Sequence, residues 1–167
     1  MAIKEATIVL FYLAAFNFSS VVGTRIKFSK CPEETQSFGT VVSVDITPCP
    51  SDPCVFKKGS VVNGTVTFKS QEQITNASLI KVYGKLPSLP WLPFPLDQPK
   101  ACTGHGLECP LEPNVEYKAV ISLEIKTMYP STQLIAKMEM LDQNGKYVFC
   151  FEFPAKIESS SEEMVIN

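Results

Sequence analysis

The run LIAKMEMLDQNGKYVFCFEF, Leu134 to Phe153, decides the fold class. In its first half Leu134, Ala136, Met138 and Met140 fall on one side, with Lys137 and Glu139 on the other, which is the period of a strand. Asn144-Gly145 tolerates the positive φ of a tight hairpin turn. The return stretch puts Tyr147, Phe149, Phe151 and Phe153 on one face and Cys150 on the other. An antiparallel hairpin with one apolar face needs a second sheet to cover it.

The flanking sequence supplies that sheet. Val115 to Met128 holds the longest alternation, with Tyr117, Ala119, Ile121, Leu123 and Ile125 opposite Lys118, Ser122, Glu124 and Lys126; Tyr129-Pro130-Ser131 ends it. Ser60 to Phe68 sets Val62, Val66 and Phe68 inward and Asn63, Thr65 and Thr67 outward. From Gly39 to Thr47, Val42, Val44 and Ile46 alternate with Val41, Ser43, Asp45 and Thr47, and Ala77 to Gly84 reads as a further strand. No stretch shows helical periodicity. About seven short antiparallel strands joined by Pro, Gly and Asn turns predict an all-β, immunoglobulin-like sandwich. The immunoglobulin order of Cys, Trp and Cys is missing, because the sole tryptophan, Trp91, lies elsewhere.

Trp91 lies in GKLPSLPWLPFPLDQPKACTGHGLECP, Gly84 to Pro110. Its prolines exclude a helix interior or a central strand. Its Leu86, Leu89, Trp91, Leu92, Phe94 and Leu96 are nonetheless too apolar for a solvated loop. The segment reads either as the lid or wall of a hydrophobic cavity or as a crossover packed on a filled core. Cys102 and Cys109 bracket a Gly-rich loop that could clamp its end.

The chain begins MAIKEATIVLFYLAAFNFSSVVG, a short apolar run after a weakly basic start, which predicts a secretory signal peptide over residues 1–23. A membrane anchor is the alternative, and the run is short for a span of about 20 residues. The domain is expected over 24–158, with 159–167, which lack periodicity, as a frayed tail. The net charge of −2 is unchanged by losing Lys4 and Glu5, and no basic patch points to nucleic acid. Cys31, Cys49, Cys54, Cys102, Cys109 and Cys150 make an even count, which in a secreted chain implies three disulfides among fifteen connectivities. CPSDPC, Cys49 to Cys54, favours a local bridge.

Asn63-Gly64-Thr65 and Asn76-Ala77-Ser78 are glycosylation acceptors, while Asn17-Phe18-Ser19 would leave with the signal peptide. Cysteine spacing and a single histidine, His105, do not suit zinc. His105 is expected to be an exposed loop residue, and Glu124 and Glu139 to be solvated. No nucleophile, metalloprotease, P-loop or dinucleotide motif is present. The chain therefore reads as a binding protein without catalytic residues, cofactor or metal.

The ordered set Cys31, PCPSDPC (Pro48 to Cys54), Lys58-Gly59, Val66-Thr67-Phe68, Gly84, LPFP (Leu92 to Pro95), Cys102, Cys109-Pro110, Tyr129-Pro130 and FCFEFP (Phe149 to Pro154) resembles the Niemann-Pick type C-two proteins. These belong to the ML lipid-recognition domains, and the likeness spans the expected domain. It implies a seven-stranded sandwich whose sheets part around a lipid, with pairings Cys31–Cys150, Cys49–Cys54 and Cys102–Cys109. It also implies a pocket mouth of Phe94, Ile125 and Tyr129, and walls of Ile46, Phe56, Val62, Gly64, Leu92, Leu123, Ala136, Met138 and Phe151. Met138 stands where sterol-binding relatives commonly carry tryptophan, and Gly64 adds no side chain. The Pro-rich segment and the Cys102–Cys109 loop are each one residue longer than the family pattern.

The resemblance implies a secreted or lysosomal monomer carrying a sterol, with transient contact to membranes or a membrane lipid acceptor. Its alternatives are a carrier of fatty acids or semiochemicals, and a secreted module recognising glycolipid.

Overall fold

Alternating apolar residues bury one face of each sheet, and the two buried faces lie against each other. The computed structural model describes residues 23–32, 36–76 and 78–160, so the expected signal peptide (apart from Gly23) and most of the tail lie outside the described residues. The strands are β1 (Thr24–Arg25), β2 (Ser29–Lys30), β3 (Gly39–Thr47), β4 (Cys54–Lys57), β5 (Val61–Ser70), β6 (Leu79–Lys85), β7 (Trp91–Phe94), β8 (Glu116–Glu124), β9 (Thr132–Leu141) and β10 (Tyr147–Glu158). One sheet runs β1-β3-β5-β8; the other runs β2-β10-β9-β6-β7, with β4 parallel beside β10. Among the described residues every regular element is a strand.

The core follows the sequence pattern through Val44, Val66, Phe68, Ala119, Ile121, Met140, Phe149 and Phe151, all buried. Phe149 anchors it, its ring lying 5.2 Å from Phe68 and 6.0 Å from Phe151. Four short strands (β1, β2, β4, β7) are additions to the periodic ones, because two to four residues cannot display a period. The Pro-rich segment forms one of them. β7 is an edge strand, where a missing ladder N–H is tolerated.

Local departures have local causes. Val42 is 50% exposed rather than inward, because a bulge between Val41 and Ser43 inserts one residue and turns its side chain out. Val41 is partly buried against the core instead. Thr67, expected outward, is buried between Ser43 and Lys118 on its neighbouring strands. Glu139 is only 4% exposed, not solvated. It accepts a hydrogen bond from Tyr83 Oη at 3.2 Å and pairs with Lys137 Nζ at 3.5 Å. Lys137 Nζ in turn lies 4.6 Å from the Tyr83 ring centre and 4.7 Å from that of Trp91, so this outer face is roofed by its own side chains.

The three bridges are Cys31–Cys150, Cys49–Cys54 and Cys102–Cys109, as the resemblance implied. Such bridges fit an oxidising compartment. Cys49 follows β3 in one sheet and Cys54 opens β4 in the other, so this bridge straps the sheets along one side. At one end of the sandwich, Phe38 N–H donates to the Tyr147 carbonyl at 3.1 Å. Gly39 permits that approach, since a Cβ there would stand 2.5 Å from the Val148 carbonyl oxygen.

Candidate ligand-binding site

The opposite lateral side, where β7 lies across from β8, carries the aromatic pair. Phe94 ends β7 and is half-buried; Tyr129 sits in the turn after β8. Their rings meet edge to face with centres 5.0 Å apart and planes at 84°, the arrangement that sets a positive ring edge on a negative face. Burial, and secondarily the Glu124 carboxylate, push the Tyr129 phenol up from its ordinary range. Ile125 is buried. Its backbone is fixed by bonds to Ser60 O at 2.9 Å and from Gly59 N at 2.6 Å.

Gly84 positions the Phe94 ring. On β6 it faces inward, and a Cβ there would collide with Phe94 and come within 2.9 Å of Leu134 Cδ1. The missing side chain is therefore the space the ring occupies. A lone glycine in a strand pattern is the sequence signal for such close approach.

Several of the expected wall residues are cross-strand neighbours by register. Val62 pairs with Leu123, and Ile46 with Gly64, which pairs in turn with Ile121. Ile46 Cδ1 would lie 3.3 Å from a Cβ on Gly64, so the isoleucine tip fills the space the glycine leaves. On the other sheet Met138 lies between Val82 and Phe151, Ala136 between Gly84 and Phe153, and Phe56 beside Ile157. All of these except Leu123, which is half-buried, are enclosed. Leu92, expected as wall, is 39% exposed and sits at the rim beside Gly84. The inner surface carries no charged side chain among these residues, so it can recognise shape and apolar area but supplies no acid, base or nucleophile.

His105 departs from its expected exposure. It is 4% exposed, with Nδ1 2.8 Å from the Val120 carbonyl and Nε2 2.7 Å from the Gln98 carbonyl. The Cys102–Cys109 loop folds onto the free edge of β8 and so encloses the ring, a contact no local pattern encodes. The acceptor Asn63 is exposed, and its Oδ1 accepts from Ser122 Oγ at 2.6 Å; Asn76 is exposed also.

Comparison with known proteins agrees with this architecture. The family model of the ML domain matches residues 25–157. The chain is 33% identical over 138 residues to NPC intracellular cholesterol transporter 2 homolog a of Drosophila melanogaster, covering 83% of this chain and 91% of that protein. It is 31% identical over 159 residues to the Mus musculus NPC intracellular cholesterol transporter 2, covering 95% of this chain and all of that one (100%). A Niemann-Pick type C2 protein from Japanese carpenter ant superposes with a TM-score of 0.71 at 24% identity, covering 80% of this chain and 100% of that one. At that identity the superposition speaks for the fold alone.

Proposed function

The chain belongs to the ML-domain family, in its Niemann-Pick type C2 branch, and on that premise we propose that it is a secreted, non-enzymatic carrier sheltering a sterol between its sheets. The observation that carries the reading is the Phe94–Tyr129 pair, set by Gly84 over an inner surface without charge. The lipid enters between β7 and β8 as the sheets part, and Phe94, Ile125 and Tyr129 form the mouth. Ile46, Phe56, Val62, Gly64, Leu123, Ala136, Met138 and Phe151 supply the walls, with Leu92 at the rim.

The driving force is apolar. Burying on the order of 400–500 Å² of ligand surface at ~25 cal/mol per Å² gives about 10 kcal/mol before association costs. That supports sub-micromolar binding with no hydrogen bond required. Transient contact with a membrane or lipid acceptor delivers the cargo, and the protein works as a monomer in the extracellular space or lysosomal lumen. Glycans on Asn63 and Asn76 would project from outward positions.

Met138 favours a second cargo. An unbranched, polarizable side chain on the inner face adapts to differently shaped guests, so a fatty-acid-like lipid is the other candidate.

The test is mass spectrometry of lipid extracted from the native protein, with titration of a fluorescent sterol and a fluorescent fatty acid. Stoichiometric lipid and binding of sterol are expected, with Phe94→Ala lowering affinity about ten-fold, or ~1.4 kcal/mol. Its stability should fall by less than the ~3–5 kcal/mol of a core phenylalanine, for which Phe153→Ala is the control. Fatty acid binding without sterol removes the sterol assignment. A lipid-free protein that binds neither probe removes the carrier reading.

A further inference from the structure

One side chain joins the Pro-rich flap to the opposite sheet. The His105 carbonyl accepts from the Val120 amide at 2.9 Å, and its Nδ1 lies 2.8 Å from the Val120 carbonyl. A single residue thus occupies both polar groups of Val120 on the free edge of β8. Nε2 lies 2.7 Å from the carbonyl of Gln98 on the flap. The next flap residue, Pro99, accepts from the Ile80 amide on β6 at 2.7 Å. The imidazole therefore ties the edge of β8 to a flap that is itself bonded to β6, on the side where Phe94 and Tyr129 meet, across from the Cys49–Cys54 strap.

Carbonyl oxygens can only accept. A neutral imidazole has one N–H and would turn its other lone pair toward an oxygen, whereas an imidazolium donates at both nitrogens. The ionisable side chains on the segments around it are Lys85, Asp97 and Lys100 on the flap, Glu108 in the loop, and Glu116, Lys118 and Glu124 on β8. All of them are exposed, and the imidazole is the enclosed group.

We propose that His105 is a positioning residue of the lid. Protonated, it latches the flap to β8 and holds Phe94 over the mouth; deprotonated, it keeps one of the two bonds and the flap loosens. Ligand exchange is then slow in acid and faster toward neutrality. For its ligand readout the inference rests on the carrier reading above.

The experiment uses the mature protein across about pH 5–8, the span in which imidazole changes charge. Isotope-labelled histidine reports one residue, because the chain has a single His. In acid both ring nitrogens should carry protected protons. Release of a bound fluorescent sterol or fatty acid should accelerate on the order of ten-fold toward neutral pH, the scale of one charge-assisted hydrogen bond. His105→Gln, uncharged, should flatten that profile. Protection of the Ile80 and Val120 amides, taken relative to the base-catalysed intrinsic exchange rate at each pH, should fall in the wild type as pH rises, which tests the latch without ligand and without a variant. A ring with one proton throughout, release independent of pH, or a His105→Gln profile like the wild type overturns the proposal. If neither probe binds, the carrier reading fails and the two amides still decide the latch.

Discussion

A single hydrogen in place of a methyl at position 84 sets where the Phe94 ring rests, since the ring fills the space a Cβ would take. Gly84→Ala must therefore displace the ring or strain β6. Overpacking of this kind costs about 1–3 kcal/mol, so a lower melting temperature is expected, together with faster lipid exchange as Phe94 leaves Tyr129. A variant with unchanged melting and unchanged exchange would show that the ring does not depend on the glycine. Glu139 illustrates what residue patterns omit. Alternation assigns it correctly to the outer face, but its burial comes from Tyr83 and Lys137, which lie across it. Burial, and then the Glu139 charge and hydrogen bond, push the Tyr83 phenol up to about 12. Which side chains meet across strands is a property of register, and no single strand carries it.

At the scale of elements, the long alternating strands were legible because each carries several turns of its period, as β8 and β9 do. The elements that were not legible are short or interrupted. β7 lies within prolines, β4 follows the Cys49–Cys54 turn, and β3 changes phase at its bulge. The bulge gives a direct check. Val42→Lys should shift stability by no more than ~0.5 kcal/mol, as at other surface positions, although strict alternation would bury it. Val44→Lys, two residues on, should prevent stable folding by placing an unpaired charge in the core. Denaturant midpoints of the two variants would separate the readings, and a severe loss for Val42→Lys would mean the bulge is misplaced. The Phe94–Tyr129 contact was legible only through family motifs, because the two residues are distant in sequence and neither stands in a periodic run.

Across the whole molecule, covalent bridges and the end of β10 hold the frame. Cys31–Cys150 closes a separation of 119 residues, worth about 4–5 kcal/mol in the loop-entropy model. Glu158 ties β4 to the end of β10, its carboxylate 2.7 Å from both Lys57 Nζ and Lys156 Nζ. Hydrogen bonds from Lys156 and then Lys57 lower its carboxyl to about 2. A lowered folded-state value stabilises above the unfolded carboxyl's ~4.3 and is lost as pH falls toward ~2. The stability gap between wild type and Glu158→Gln should hold steady above about pH 5 and close between about pH 4 and 2; a gap that survives full acidification would discount the pair.

Cys31–Cys150 lies within one sheet, Cys49–Cys54 runs along a rim, and Cys102–Cys109 stays inside one connection. Of the three, Cys49–Cys54 alone joins the two sheets, and it does so at one lateral edge. The inward faces away from that edge carry no covalent tie, so side chains at positions such as 64 and 138 are free to change over evolutionary time and reshape the interior while all three bridges stay in place.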